Sequence, residues 1–305
     1  MRSPRIALFA LVLPLVACGW SVRSLRWHTP DDVTLTYEFE TEHRLSTTFE
    51  RLPGSPGEDE VAAMEAQLDG IVFELRGTLE KFKAQYFVDR TAGIVVRLIA
   101  VEGSQRGPDG PTPFDTDGLH GKAVAMRTFE SGEVFEAVGY EHFAGQGRYG
   151  ELFAELFVQL MPRLPAEMPE LDTPVKVRAG LPFRIDGFSE SQQTWDLTYT
   201  RLTDPTPCLI GKACVELAYA GEVTEVALGR DPAHVTRVEG SGTVEGWLMF
   251  ALDGRDFQEH RYSMDLDRTI LTYEGPFDPR KGEEGVVRAE LRQRDQSETV
   301  MRRNP

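Results

Sequence analysis

The sequence predicts a mainly β protein of the α+β kind: a curved antiparallel sheet or half-barrel with one buried helix near residues 148–161. Three observations predict it. Apolar and polar side chains alternate strictly over Val33–Glu40 and again over Thr194–Arg201, the period of a strand with one buried face. Short turns at Ser131-Gly132 and Asp253-Gly254 stand between alternating runs, which is how hairpins are punctuated. One stretch alone carries a wide helical stripe, formed by Tyr149, Leu152, Phe153, Leu156, Phe157, Leu160 and Met161.

Taken in order, residues 18–32 form a tether, and a β-rich domain fills 33–305. Val33, Leu35, Tyr37 and Phe39 share one face of the first strand; Leu45–Phe49 either continue it or pair back. A polar turn follows at 53–59. Residues 61–86 carry apolar side chains at helical spacing, but Gly70 and Gly77 interrupt them, each costing about 1 kcal/mol in a helix. The reading is a short helix near 59–67 and strands beyond it. Ile94–Val101 is a strand, and Gly103–Gly121 reads as a long loop rich in Gly, Pro and Asp. Val124–Phe129 and Glu133–Val138 form a hairpin. Glu151 and Glu155 fall toward the start of the predicted helix, where its dipole favours acid, and Pro162 and Pro165 end it. A proline-rich connection spans 162–182. Strands are then expected at 194–201, 215–223, 243–252, 255–264, 270–273 and 286–291. The hairpins around Gly132 and Gly254 resemble each other in order, which divides the domain into two related halves, 33–165 and 175–305, or reflects only the likeness of all hairpins.

The chain opens on Arg2 and Arg5, an apolar run from Ile6 to Val16, and then Leu15-Val16-Ala17-Cys18. The run is well short of the roughly 20 residues that span a bilayer. Residues 1–17 read as an export signal, either of the ordinary secretory kind or of another class. The last four residues resemble the lipobox of bacterial lipoproteins. That resemblance implies cleavage before Cys18, acylation of Cys18 (diacylglyceryl on sulfur, a further chain such as palmitate on the amine), and a membrane-anchored protein of the cell envelope. Gly19, where an Asp would retain a lipoprotein at the inner membrane, implies the outer membrane of a Gram-negative cell. At the level of architecture the expected sheet and helix also resemble the lipoprotein-carrier family, whose half-barrel is closed by helices.

Cleavage leaves 288 of 305 residues and takes the formal charge from −16 to −18, because only Arg2 and Arg5 are lost. So acidic a body argues against nucleic acid as a partner and against adsorption to anionic headgroups. The lipid would be the link to the membrane. With Cys18 acylated, Cys208 and Cys214 remain. In an oxidising compartment their spacing reads as a disulfide clipping one loop; the alternatives are free thiols or a metal pair that lacks further ligands.

No motif points to catalysis. His28, His43, His120, His142, His234 and His260 show no metal-ligand spacing. Gly187-Phe188-Ser189-Glu190-Ser191 has Ser where a nucleophile elbow has Gly. The acidic loop 109–118 lacks the EF-hand spacing and reads as a solvated turn. There is no Gly-rich phosphate loop, so neither a cofactor nor a metal is expected. The stripe on 148–161 is wider than one strand face needs. Its helix either plugs the concave face or lines a cavity, and in the second case Phe153, Phe157, Leu160 and Met161 face an apolar ligand. The expected function is non-enzymatic binding of a lipid, an apolar molecule or another envelope protein. A structural or assembly role, with the acidic face as contact surface, and a hydrolase with a loop-built site are the alternatives.

Overall fold

The computed structural model describes residues 25–51, 61–63, 65–66, 69–83, 92–107, 110–113, 115–139, 143, 156–157, 160–182, 188–230, 234–274 and 285–305. The export signal, the lipobox and Phe153 lie outside them, as does most of the helix expected at 148–161.

Twelve strands make one antiparallel sheet: β1 (Leu35–Arg51), β2 (Ile71–Lys83), β3 (Ala92–Gly107), β4 (Gly110–Pro113), β5 (Ala123–Thr128), β6 (Val134–Val138), β7 (Val175–Pro182), β8 (Phe188–Arg201), β9 (Cys214–Arg230), β10 (His234–Ala251), β11 (Asp256–Glu274) and β12 (Val286–Arg303). The spatial order is β6-β5-β3-β2-β1-β12-β11-β10-β9-β8-β7, with the short β4 paired to β3. Two runs of consecutive strands, β1 to β6 and β7 to β12, therefore meet where the first strand pairs the last. Tyr37 opposes Arg303, and the ladder runs on to Phe49 opposite Leu291. Among the described residues no ladder joins β6 to β7, so the sheet is open, and it is not strongly curled. The expected mainly β, antiparallel architecture is therefore present as one open sheet.

Alternation sets the two faces. On β1, Tyr37, Phe39 and Leu45 are buried with Thr41, His43 and Thr47, while Glu38, Glu40, Glu42 and Arg44 are exposed. The other long strands repeat the scheme, so one face packs and the other is charged. Burying each Leu, Phe or Val on the packed face contributes about 1.5–3 kcal/mol. Leu156, Phe157, Leu160 and Met161 are buried within the same apolar core as the strands. Only Leu156 and Phe157 are helical among the described residues of 148–161. Residues 61–63 and 65–66 are helical and 71–83 form β2, as the pattern predicts.

Two expected loops are partly strand. The strand expected to end at Val101 continues to Gly107, and Gly110–Pro113 fold back on it, Arg106 opposite Pro111. β7 occupies the end of the proline-rich connection, with Val175 opposite Tyr199. It is an edge strand, where proline is tolerated because one side of the backbone needs no partner.

The end of the sheet where β1 begins is capped by the chain's own entry. The Trp27 amide donates to the Glu130 carbonyl and the His28 amide to that of Arg255. Trp27 Nε1 donates to the Pro162 carbonyl at 3.0 Å. The Trp27 indole lies edge-on to Phe250 and Phe257. Gly132, with φ of 89°, turns the β5–β6 hairpin directly under that indole, and a Cβ there would lie 2.5 Å from Trp27 Nε1.

Candidate functional site

Charged side chains on the packed face form two centres. In the first, Asp256 opens β11 and is fully buried. It accepts from the Tyr37 hydroxyl at 2.5 Å, from Lys81 Nζ at 3.0 Å and from the Phe257 amide at 2.8 Å. The Arg303 guanidinium stands 3.9 Å away. Lys81 also lies over the rings of Trp27 and Tyr37. Burial lowers the Lys81 ammonium below its usual value, and the Asp256 charge opposes that shift. Burial, then the neighbouring Asp256 charge, raises the Tyr37 phenol well above its own.

The second centre is built on Arg268 of β11. It donates to Asp295 Oδ2 at 2.7 Å and to Glu225 Oε2 at 3.1 Å. Gln193 donates to the same Glu225 oxygen at 2.9 Å, and Trp195 Nε1 donates to Gln193. His43 Nδ1 stands 3.5 Å from Asp295. On β10, Gly240 lies between Glu225 and Arg268, where a Cβ would fall 3.1 Å from Glu225 Cβ. The missing side chain lets the pair meet over that strand. Glu225 and Asp295 are fully buried and Arg268 nearly so. Sequence reading missed both centres, because an isolated Lys, Asp or Arg within a strand looks like any outward residue. Both centres are buried and tie neighbouring strands together.

The outward face is where this protein meets its surroundings. Three shallow depressions of about 640, 840 and 720 Å³ adjoin there, and Glu298 borders all three. The register explains their charge. Glu74 on β2 lies directly opposite Glu42 on β1, and Glu42 directly opposite Glu298 on β12. Ser263 follows on β11 and Glu245 on β10. Adjacent strands are about 4.8 Å apart, so three carboxylates stand side by side. Arg106 reaches Glu74, and Arg44 stands 3.4 Å from Glu42. Glu298 has no cationic partner among the described residues. Neither His nor Cys borders the depressions among the described residues. The arrangement can therefore bind cationic groups, and the Ser263 hydroxyl donates to Glu245 at 3.3 Å within it.

The residues singled out by sequence separate in space. Cys208 and Cys214 form the disulfide, with Cα atoms 5.8 Å apart. Phe157 and Leu160 are fully buried and Met161 nearly so, all on the packed face, away from the depressions. Ser189, the serine of the elbow-like stretch, lies within strand β8 rather than on a strand-to-helix turn. Asp115 and Asp117 flank a short 3₁₀ turn, where Asp115 accepts from the Asp117 amide.

No family model matches the chain, and no curated protein matches it. Among solved structures it is similar to a mutant Rh. blastica porin at 9% identity and a TM-score of 0.21, over 89% of this chain and all of that one. Pseudomonas aeruginosa OccK11 aligns at 7% identity and a TM-score of 0.18, over 92% and 99%. OccK1 of the same organism gives 7% and 0.19, over 90% and 100%. The likeness extends no further than long antiparallel strands.

Proposed function

We propose that this chain is a lipid-anchored envelope lipoprotein with a structural or assembly role, and that its acidic outward face is the contact surface for a basic partner. The observation that carries this is the Glu74–Glu42–Glu298 row. Like charges directly opposite on neighbouring strands destabilise a sheet by about 0.2–1 kcal/mol per pair, so fold stability alone does not account for them. A stretch that breaks a local rule without a gain in stability is where function is expected.

Two further features support the reading. Strands embedded in lipid turn their apolar side outward, whereas the outward positions here carry charge, which leaves attachment to the lipid on Cys18. The packed face is occupied by the chain's own Leu156, Phe157, Leu160 and Met161, which favours a structural role over carriage of an apolar ligand. The disulfide fits an oxidising, extracytoplasmic compartment.

The anchor is tested by feeding cells a fatty-acid probe: wild type should label and Cys18→Ala should not, and equal labelling refutes acylation. The face is tested by Glu42→Gln and Glu298→Gln. Each should raise the urea midpoint, by about 0.2–1 kcal/mol of stability, as the repulsion is relieved. An unchanged or lower midpoint removes the ground for calling the row functional.

A further inference from the structure

We infer that the end of the sheet where the chain enters is a bilayer-facing surface, which seats Phe129, Leu202 and Leu209 in the headgroup boundary beside Lys212 and Arg255. The inference rests on the proposed anchor at Cys18 and names what that anchor brings into contact.

Reach decides which end faces the membrane. Leu25 is buried in the core, so the chain is fixed there, seven residues after Cys18. Fully extended, that tether spans at most about 25 Å. β11 has 19 residues and is about 60 Å long at 3.3 Å per residue. A lipid on Cys18 thus holds the entry end against the bilayer, and the far end cannot approach it.

The exposed apolar side chains follow the same polarity. Of the nine large ones exposed among the described residues, five stand at this end: Val33, Phe129, Leu171, Leu202 and Leu209. The other four are spread along the strands or at the far end. Leu209 is the most exposed of all, at 78%. It sits at the tip of the loop clipped by Cys208–Cys214 and tied down by its amide on Gln258. A held loop presents an apolar tip without a large ordering cost on contact. Lys212 and Arg255 are exposed on two loops that hydrogen-bond each other through Leu252 and Ala213. Neither has an ion pair among the described residues. Acids share this end: Glu130 pairs with Arg26, Asp204 with Arg201 and Asp253 holds the Lys212 amide, while Glu170 and Asp172, exposed on either side of Leu171, have no ion pair among the described residues. The Leu209 tip, with the free cations Lys212 and Arg255 beside it, suits an anionic lipid surface, even though the whole body is acidic.

The test is amide exchange on the full chain, purified from membranes and reconstituted in vesicles of phosphatidylethanolamine and phosphatidylglycerol. The control is Phe129→Glu/Leu209→Glu, whose tether is unchanged and whose two altered positions are at least half exposed. Peptides covering 129–133 and 202–213 should exchange about tenfold more slowly in wild type than in the variant, as about 1.4 kcal/mol of contact implies, while 103–107 at the far end should match. Intact mass of the same sample reads the anchor independently. Lipid present with equal exchange overturns docking and leaves the anchor standing. Protection without lipid keeps docking and refutes the anchor, and neither refutes both. Protection that needs whole membranes and fails in protein-free vesicles overturns a lipid surface in favour of a membrane protein.

Discussion

Single buried groups carry sharp costs. Tyr199 is fully buried, and its hydroxyl has no hydrogen-bond partner among the described residues, although its ring packs against Tyr219 at 5.1 Å. Tyr199→Phe keeps the ring and removes an unsatisfied polar atom, so it should stabilise the protein by about 1 kcal/mol in urea unfolding; a loss of stability would show that the hydroxyl has a partner. The same phenol enters the alkaline limb. Burial holds Tyr37, Tyr199 and Tyr219 above the ordinary phenol value. The unfolded chain therefore loses these protons first. The stability they confer is fully present below pH 10 and is lost as pH rises through their folded values. Lys81, lowered by burial, acts in the opposite sense below its unfolded value of 10.5. Three phenols against one ammonium give a net fall above pH 10, and Tyr199→Phe should make that fall shallower.

At the level of strands, packing depends on small residues at defined places. Gly246 on β10 lies under the Tyr219 ring, where a Cβ would come 2.2 Å from Cζ. Gly246→Ala should cost about 1–3 kcal/mol through overpacking, and Tyr219→Leu in the same chain should recover part of it. Strictly additive losses would mean that the two do not touch. Strand identity was legible wherever alternation was clean, as on 33–40 and 194–201, and both turn-marked hairpins form. Strand length was not. On β1 the packed face continues through Thr41, His43 and Thr47, and on β12 through Asp295, Ser297 and Thr299. Those polar side chains hide the period, so a 17-residue strand reads as a short one. The acidic row was equally hidden, because it joins Glu74, Glu42 and Glu298 from three strands, and only register brings them together. The disulfide was legible because its two cysteines are close in sequence.

Across the whole molecule, the Arg268 centre ties β8, β9, β11 and β12 through Gln193, Glu225 and Asp295. Arg268→Met would leave two carboxylates buried without their cation. It should cost about 3–5 kcal/mol by chemical denaturation, because breaking a buried ion pair exposes its partners to an uncompensated interior. A loss under 1 kcal/mol would show that water reaches the centre. The pairing of β1 with β12 has a consequence of another kind, in time rather than in energy. Glu38 and Asn304, which meet at that seam, are 266 residues apart. As the chain emerges, no ladder among the described residues joins its two runs of hairpins until the last eighteen-residue strand is made. Such long-range pairing folds slowly. Under the export proposed above, in which the chain crosses a membrane as an extended thread, that delay acts as a safeguard: the seam cannot shut until residues 286–303 have also been delivered to the far side.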